Sequence, residues 1–248
     1  MRSFFILLAT ILCFPLQAQE KAPSMERAKR AAGFKAAELI QNGQVVGLGT
    51  GSTAAYFIEG LIERIEQGLE ITAVSSSRSS AELARRGGIK VYDINEVSHI
   101  DITVDGADEI DPQKRMIKGG GGAHVREKIL ASASGELIVI VDETKVVSAL
   151  GHTKLPVEIL FYGSPATRQK LEKLGYTGQW RVNPDKSLFI TENGNLIFDI
   201  AFKSLPTSPE QDHEKIIHVP GVVDTGFFFG YAGRVIVGYS DGSTKLIE

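Results

Sequence analysis

The chain has 248 residues, of which 43% are hydrophobic and 23% are charged. This composition is typical of one or two globular domains and excludes a disordered or fibrous protein. Because 27 basic and 30 acidic side chains give a formal net charge of -3, no overall positive field attracts a polyanion, which disfavours binding to nucleic acid. The only cysteine, Cys13, lies in an apolar N-terminal run. Its position excludes a disulfide scaffold, a cysteine-based zinc site and a thiol nucleophile in the rest of the chain.

The N-terminal segment has the layout of a secretory signal peptide. Arg2 follows the start, an apolar stretch runs from Phe4 to Phe14, and the small residue Ala18 offers a cleavage site. The stretch is shorter than the roughly 20 apolar residues that a bilayer span requires, so no stable membrane span is expected. We therefore expect residues 1–18 to be removed and the protein to be periplasmic or secreted. The alternative is a cytoplasmic protein that starts at Met25, at the head of the first predicted helix.

Short apolar runs alternate with helical stretches from Ser24 to about Leu150. Uniformly apolar strands separated by helices predict a Rossmann-like α/β domain with a mostly parallel sheet covered on both faces. A long polar loop is predicted between residues 104 and 123. The predicted helices are 24–42, 53–67, a segment ending at Gly87 and 123–134, and the predicted strands are 45–48, 71–74, 89–92, 102–104 and 137–141.

The pattern changes after Leu150 to the order β-α-β-β-α-β, which is typical of a smaller ferredoxin-like α/β domain. The last run, 234–239, precedes an Asp-Gly turn and predicts a hairpin that returns to the first sheet. We therefore assign residues 24–150 and 230–248 to the Rossmann-like domain and 151–229 to the smaller one, with a fixed cleft between them. The predicted elements of the smaller domain are strands 155–161, 179–182, 196–202 and 226–229 and helices 165–174 and 210–218.

Two polar segments follow strands at the same edge of the predicted sheet. The glycine-rich segment Gly47–Thr53 joins a strand to a helix, where backbone N–H groups and the helix dipole bind anions. It predicts a phosphate-binding loop, and the alternative is a tight turn with Thr53 as the helix cap. Ser75–Ser80 follows the next strand, where such folds bind ligands, although such a segment alone is more often a helix cap in a polar loop than a binding site.

Four carboxylates lie within the seven residues from Asp105 to Asp111, directly after an apolar strand. Such crowding raises some carboxylate pKa values unless a cation lies nearby. A calcium loop is disfavoured, because the first, third and fifth positions hold Asp, Ala and Glu. For Glu109 and Asp111 the alternative is that they are solvated surface acids.

Cations and a further carboxylate follow along the chain. Lys118 precedes four consecutive glycines. Ordering such a run costs much conformational entropy, so close approach of the backbone to a ligand is the best explanation for it. On the next helix Glu127 shares a face with His124, although a lone glutamate there would serve as an electrostatic cap. Lys145 is a further cation at the same sheet edge, and by itself would be an ordinary surface lysine.

These segments, in this order, resemble the A-type ribose-5-phosphate isomerase family. The motifs that carry the resemblance are GTGST, SSS, DGADEID, KGGGGA, REKI, a D-x-x-K turn, LPVEI and PGVVDTG. Each motif is weak evidence alone, whereas DGAD, KGGG and REK at these separations are highly specific. The resemblance extends from about Met25 to the C-terminus and leaves only the leader unmatched.

The resemblance implies an enzyme that interconverts D-ribose 5-phosphate and D-ribulose 5-phosphate through an enediolate in the non-oxidative pentose phosphate pathway. It implies Glu127 as the general base, Lys118 as the stabiliser of the enediolate, and Asp105 and Asp108 in ring opening and proton shuttling. It also implies a homodimer or a dimer of dimers, with no metal ion and no cofactor. The implied substrate-binding residues are Thr50, Gly51, Ser52, Thr53, Asp105, Gly106, Ala107, Asp108, Lys118, Gly119, Gly120, Gly121 and Lys145, with Lys29 matched more loosely to phosphate binding.

Two other classes of protein remain. A non-catalytic sugar-phosphate sensor of the same fold would need a DNA-binding helix-turn-helix, which the residues before Ser24 cannot supply. An acyl or CoA transferase, or a sugar-phosphate deaminase, fits the predicted sheet but not the full set of motifs. Fold alone does not separate these functions.

Overall fold

The computed structural model describes residues 16–248, with side chains from Ser24 onward. Its core is a seven-stranded, mostly parallel sheet, accompanied by smaller antiparallel sheets of four and three strands. This confirms the predicted α/β fold class. Most of the predicted signal peptide, residues 1–18, lies outside the described residues. Within the described part, no helix is long and apolar enough to cross a membrane.

Six helices and fourteen strands make up the described part of the chain. The helices are α1 (Leu16–Ala37), α2 (Ser52–Glu66), α3 (Arg78–Arg86), α4 (His124–Ala133), α5 (Ser164–Lys173) and α6 (Pro209–Ile217). The strands are β1 (Val45–Leu48), β2 (Thr72–Ser75), β3 (Lys90–Val91), β4 (Ile100–Asp105), β5 (Glu109–Ile110), β6 (Met116–Ile117), β7 (Ser134–Asp142), β8 (Leu155–Ile159), β9 (Gly178–Trp180), β10 (Leu196–Ile200), β11 (Val222–Thr225), β12 (Phe227–Phe228), β13 (Ala232–Gly238) and β14 (Thr244–Ile247).

The large sheet has the strand order β14-β13-β7-β4-β1-β2-β3. All its neighbouring pairs are parallel except β13 with β14, which forms the predicted C-terminal hairpin and returns the chain beside β7. The strand β7 is buried on both faces because successive side chains point in opposite directions. Ile138 and Ile140 join the core beneath α1 and α2, whereas Val139 and Val141 join a second core on the other face.

The first helix differs from the predicted range of 24–42. It begins eight residues earlier, at Leu16, and ends at Ala37. Beyond Ala37 the backbone tightens, since the N–H groups of Leu39 and Ile40 donate to carbonyls only three residues back. The two apolar side chains therefore still pack on the core, which explains why their spacing looked helical.

The four-stranded sheet has the order β11-β8-β10-β9 with every pair antiparallel. With α5 and α6 this reproduces the predicted β-α-β-β-α-β order. The predicted last strand, 226–229, contains the two-residue strand β12, but β12 belongs to the three-stranded sheet. Its assignment to the small sheet is wrong, because the strand beside β8 is Val222–Thr225. Gly226 carries the chain into the next sheet, donating to the Pro156 carbonyl at 2.7 Å and accepting from the Lys118 N–H at 2.8 Å.

The three-stranded sheet lies in the region predicted as a long polar loop. Its order is β12-β6-β5, and Met116, Ile117, Phe227 and Phe228 are buried in it. The sequence did not predict this sheet because each of its three strands holds only two residues and one of them comes from a distant part of the chain. This sheet fixes the segments that carry Asp108 and Lys118.

The interpretation of Glu109 and Asp111 as solvated surface acids is also wrong. Glu109 is 1% exposed and accepts hydrogen bonds from the N–H groups of Gly151, at 2.7 Å, and Thr153. Asp111 is buried and forms an ion pair of 2.7 Å with Arg115. These carboxylates anchor the loops behind the three-stranded sheet.

Candidate active site

A cleft of about 240 Å³ opens at the carboxyl ends of β1, β4 and β7, the edge where parallel sheets bind ligands. Every residue that the sequence assigns to the site lines this cleft except Asp105, which is buried beside it. The lining residues are Met25, Lys29, Thr50, Gly51, Ser52, Thr53, Gly106, Ala107, Asp108, Lys118, Gly119, Gly120, Gly121, Glu127, Asp142 and Lys145.

Lys118 is the centre of a buried charged cluster. Its ammonium group lies 2.9 Å from Asp105 Oδ2 and 3.1 Å from Glu127 Oε2, and it donates to the Gly106 carbonyl at 2.5 Å. The side chain is only 3% exposed. Although burial opposes the charged form, the two carboxylates raise the pKa of Lys118 above its usual range. The lysine therefore stays an ammonium group at neutral pH.

Glu127 lies in the first turn of α4 and is 4% exposed. Burial raises its pKa well above the usual range, and the Asp105 carboxylate adds to the rise, while Lys118 opposes it. The contact with Lys118 is an ion pair without the direction of a hydrogen bond, since Oε2 has no hydrogen-bond partner among the described residues. Such a carboxylate is a stronger base than a solvated one and can take up a proton from a bound molecule.

His124 precedes Glu127 by one helical turn and is fully buried under the glycine loop. Burial, with a contribution from the Lys128 cation, lowers the pKa of His124 to about 3. A Cβ atom on Gly119 would lie 2.8 Å from the His124 side chain, so only glycine fits there. The neutral imidazole thus supports the loop without adding charge to the cluster.

The two aspartates of the DGAD segment have different positions. Asp105 accepts hydrogen bonds from the N–H groups of Thr50, at 3.0 Å, and Gly106, at 2.7 Å, in addition to its ion pair. Asp108 lines the cleft and accepts from the Gly120 N–H at 2.7 Å. Asp105 therefore ties Lys118 to the loop after β1, whereas Asp108 is available to a ligand.

The mouth of the cleft is the N-terminus of α2. Gly51 is the N-cap residue with a φ of 109°, so the alternative in which Thr53 caps the helix is wrong. The N-cap supplies no side-chain hydrogen bond to the first turn in the described structure, so its N–H groups form a candidate anion site. Lys29 and Lys145 line the same cleft and add positive charge.

The serine segment does not line this cleft. Ser77 caps α3 by accepting from the Ser80 N–H, as the alternative interpretation stated. Ser76 supports the site indirectly, because its hydroxyl lies 2.7 Å from that of Thr50.

Sequence reasoning gave no role to two lining residues, Met25 and Asp142. The signal for Asp142 was its place at the head of the D-x-x-K turn, where it caps the turn by accepting from the Thr144 N–H. Its Oδ2 is buried without a hydrogen-bond partner in the described part of the chain. Met25 gave no comparable signal. Among the described residues, no group of three or more His, Cys, Asp or Glu side chains could hold a metal ion.

The arrangement combines an anion site, a buried cation and a carboxylate of raised basicity within one cleft. The anion site can hold a phosphate, and the carboxylate can remove a proton from a carbon next to a carbonyl group. The ammonium group can then stabilise the oxyanion that forms. These elements suit proton transfer within a small phosphorylated carbonyl compound.

Several known proteins are similar to this chain in sequence and in fold. The family model for ribose 5-phosphate isomerase A (phosphoriboisomerase A) matches residues 72–242. Ribose-5-phosphate isomerase A of Protochlamydia amoebophila is 50% identical over 226 residues, which cover 91% of this chain and 97% of that protein. The protein of the same name from Bartonella quintana is 43% identical over 231 residues, which cover 91% of this chain and 98% of its own length.

Solved structures agree with the sequence relatives. A D-ribose-5-phosphate isomerase in complex with phospho-erythronic acid has a TM-score of 0.85 at 36% identity, covering 90% of this chain and 99% of that chain. Ribose 5-phosphate isomerase from Plasmodium falciparum has a TM-score of 0.86 at 34% identity, with the same coverage. The family model spans more than half of the chain and the relatives match about nine-tenths of it, so the chain belongs to the ribose-5-phosphate isomerase A family.

Proposed function

We propose that this protein interconverts D-ribose 5-phosphate and D-ribulose 5-phosphate through an enediolate, using Glu127 as the base. The observation that carries the proposal is the buried cluster of Glu127, Lys118 and Asp105 beside a cleft that the N-terminus of α2 also lines. Membership of the isomerase family supports the same substrate and reaction.

The reaction begins with the open-chain aldose in the cleft. Glu127 removes the proton from C2, and the electron pair moves toward C1 so that the carbonyl oxygen becomes an enediolate oxyanion. Lys118 lies 3.1 Å from the base and stabilises this oxyanion, an interaction worth roughly 3 kcal/mol for a well-placed donor. The protonated Glu127 then returns the proton to C1. The C2 hydroxyl passes its proton to the C1 oxyanion, so the oxygen on C1 becomes a hydroxyl and the oxygen on C2 becomes the ketone.

The two aspartates have different roles in the transfer of protons between the sugar oxygens. Asp108 lines the cleft and is placed to exchange protons with the sugar hydroxyls and to assist ring opening. Asp105 is 1% exposed, and both of its carboxylate oxygens are engaged, so it acts by holding Lys118 in place. This division refines the expectation that both aspartates contact substrate.

The phosphate group occupies the N-terminus of α2, with Thr50–Thr53 supplying hydroxyl and N–H donors. Lys145 and Lys29 contribute charge from two other elements. Binding energy from the phosphate, which does not react, orients C1 and C2 against Glu127.

The test measures conversion of ribose 5-phosphate to ribulose 5-phosphate by the purified protein in EDTA. Glu127→Gln should lower kcat by about 10²–10⁴-fold, the contribution typical of a general base. Glu158→Gln is the matched control, because Glu158 is equally buried but lies in β8 of the small sheet. A folded wild-type protein that binds the sugar phosphate without turnover would instead favour the sensor function. Near-normal turnover by the Glu127→Gln variant would exclude Glu127 as the base.

We propose a homodimer as the working state. The family resemblance suggests it, and the exposed apolar residues Leu160, Phe161 and Tyr162 that follow β8 offer surface for a second copy. Sedimentation velocity distinguishes one chain from two. A single species of one chain at micromolar concentration would contradict the proposal.

We further propose that the protein is exported and that residues 1–18 are removed. Cleavage after Ala18 retains Met25 and Lys29, both of which line the cleft. N-terminal sequencing of the protein from its natural host tests this, since export predicts a start at Gln19. A cytoplasmic protein that starts at Met25 would contradict it.

A further inference from the structure

The glycine loop after Lys118 is held from behind by an arginine of the small sheet. Nη1 of Arg181 donates to the Gly119 carbonyl at 2.8 Å and to the Gly120 carbonyl at 3.0 Å. Nε and Nη2 of the same guanidinium group bind the Asp199 carboxylate at 3.0 and 2.5 Å. Arg181 directly follows β9 and Asp199 lies in β10, so the anchor belongs to a rigid sheet. Arg181 does not line the cleft, and the loop therefore separates it from any substrate.

The two fixed carbonyl groups determine where the loop's N–H groups point. In a planar trans peptide the N–H points opposite to the carbonyl of the same peptide unit. The N–H paired with the Gly119 carbonyl belongs to Gly120, and it donates to Asp108 at 2.7 Å. The N–H paired with the Gly120 carbonyl belongs to Gly121, which lines the cleft. Among residues 16–248 no acceptor bonds this second N–H, so it remains a free donor.

The loop does not hold this geometry by itself. Gly119 and Gly122 adopt φ values of 100° and 81°, which glycine alone adopts readily, and glycine has the largest choice of other conformations. A hydrogen bond links the Gly122 N–H to the Gly119 carbonyl at 2.9 Å, but it fixes only the ends of the turn. The central peptide between Gly120 and Gly121 depends on Arg181 for its orientation.

We propose that Arg181 is a positioning residue for catalysis: by holding the Gly119 and Gly120 carbonyls, it aims the Gly121 N–H at the enediolate oxyanion. This inference rests on the proposed isomerase reaction. Lys118 and the Gly121 N–H would then approach the developing charge together, one from the cluster and one from the loop. The phosphate site at α2 shares no contact with Arg181 in the described structure, so ground-state binding depends little on it.

The test compares Arg181→Gln and Arg181→Lys with wild type. Lysine keeps the charge but cannot span a carboxylate and two carbonyl groups at once. Because Arg181→Gln leaves Asp199 unpaired, the double variant Arg181→Gln/Asp199→Asn is measured as well, and Tm is recorded for each. Arg168→Gln is the matched control, since Arg168 also lies over rings of the small sheet, 5.4 Å from the Phe198 centroid, and pairs with Glu172 at 2.8 Å.

We expect kcat to fall roughly 10- to 100-fold in all three Arg181 variants, below the 10²–10³-fold typical of outright donor loss. KM for ribose 5-phosphate should stay within about threefold of wild type, because the phosphate loop is untouched. A pair of inhibitors separates positioning from general damage. Phospho-erythronic acid carries a carboxylate whose charge is spread over two oxygens, as in the enediolate, whereas erythritol phosphate has an uncharged hydroxyl there. The acid should lose about tenfold in affinity and the alcohol should not change.

Unchanged kcat in a folded double variant would overturn the inference, and so would equal weakening of both inhibitors. If the wild-type protein lacks isomerase activity, the proposed function is wrong. The inference about Arg181 then fails too, because it rests on that function, and this outcome is distinct from the two above. Arg168→Gln should behave as wild type in every assay.

Discussion

Replacing Lys118 by methionine tests the buried cluster most directly. The ammonium group is the cation that faces both Asp105 and Glu127, at 2.9 and 3.1 Å, and it is 3% exposed. Methionine fills a similar volume but leaves the two carboxylates opposite each other without a positive charge. The Gly106 carbonyl also loses its donor.

The expected loss of stability is about 3–5 kcal/mol, the usual cost of removing one partner from a buried ion pair. The double variant Lys118→Met/Asp105→Asn should recover most of it, because a neutral amide no longer repels Glu127. Catalysis should behave differently. Loss of the oxyanion donor costs about 10²–10³-fold in kcat, or roughly 2.7–4 kcal/mol, and the double variant should not restore it.

Urea unfolding of the single and double variants measures the loss of stability. Exchange of the C2 hydrogen with deuterium from solvent measures the loss of catalysis. The destabilisation by Lys118→Met should be smaller at pH 5 than at pH 8. In the wild type, burial raises the pKa of Glu127 to about 8 and Lys118 opposes the rise. Without Lys118 the pKa rises further, so the variant keeps Glu127 protonated, and holding that proton costs more free energy as pH rises. A single variant as stable as wild type at pH 8, or a double variant that regains activity, would refute this account of the cluster.

Three further predictions concern neighbouring groups. The pKa of Glu127 is higher in the folded state than in the unfolded state. The stability contributed by its protonated form is therefore complete below about pH 4.5 and is lost as pH rises through about 8. Urea unfolding should show Glu127→Gln becoming increasingly more stable than wild type over that range. Gly49→Ala should cost roughly 1–3 kcal/mol of stability and lower kcat, because its Cβ would clash with the Asp105 carboxylate. Unchanged thermal unfolding would contradict this. Lys29→Met should raise KM about three- to tenfold with little change in kcat. Lys35→Met is the control and should leave steady-state kinetics unchanged, because Lys35 lies in the same helix but does not line the cleft.

The sequence predicted the large sheet well because its strands are short, uniformly apolar and separated by helices. β1 matches its predicted range, and β7 extends the predicted range by three residues at its start and one at its end. The three-stranded sheet could not be predicted, since β5 and β6 have two residues each and their partner β12 is contributed by Phe227 and Phe228. Pairing between such distant short segments depends on tertiary packing and leaves no periodic pattern in the sequence.

The site was predictable to the extent that residue type and chain position determine it. Polar residues that directly follow parallel strands converge at one sheet edge, which explains why Thr50, Asp105 and Lys145 meet. Contacts made behind the site carry no such signal. Arg181 lies about 60 residues from the glycines that it holds, directly after β9, in a region that the sequence assigned only to the small domain. The buried role of Glu109 was hidden for the same reason, because its partners Gly151 and Thr153 lie in another loop.

The cluster also explains why one fold can hold both a strong base and a stable cation. Lys118 and Asp105 bind each other and the loops around them, and these contacts keep the ammonium group charged despite its burial. Glu127 faces the same ammonium group without a directed hydrogen bond, and its burial is only partly compensated. That incomplete compensation raises the pKa of Glu127, and a raised pKa is what makes a carboxylate basic enough to remove a proton from carbon. Stabilising Glu127 further, for example by adding a hydrogen-bond donor beside it, should therefore slow proton abstraction even as it strengthens the fold.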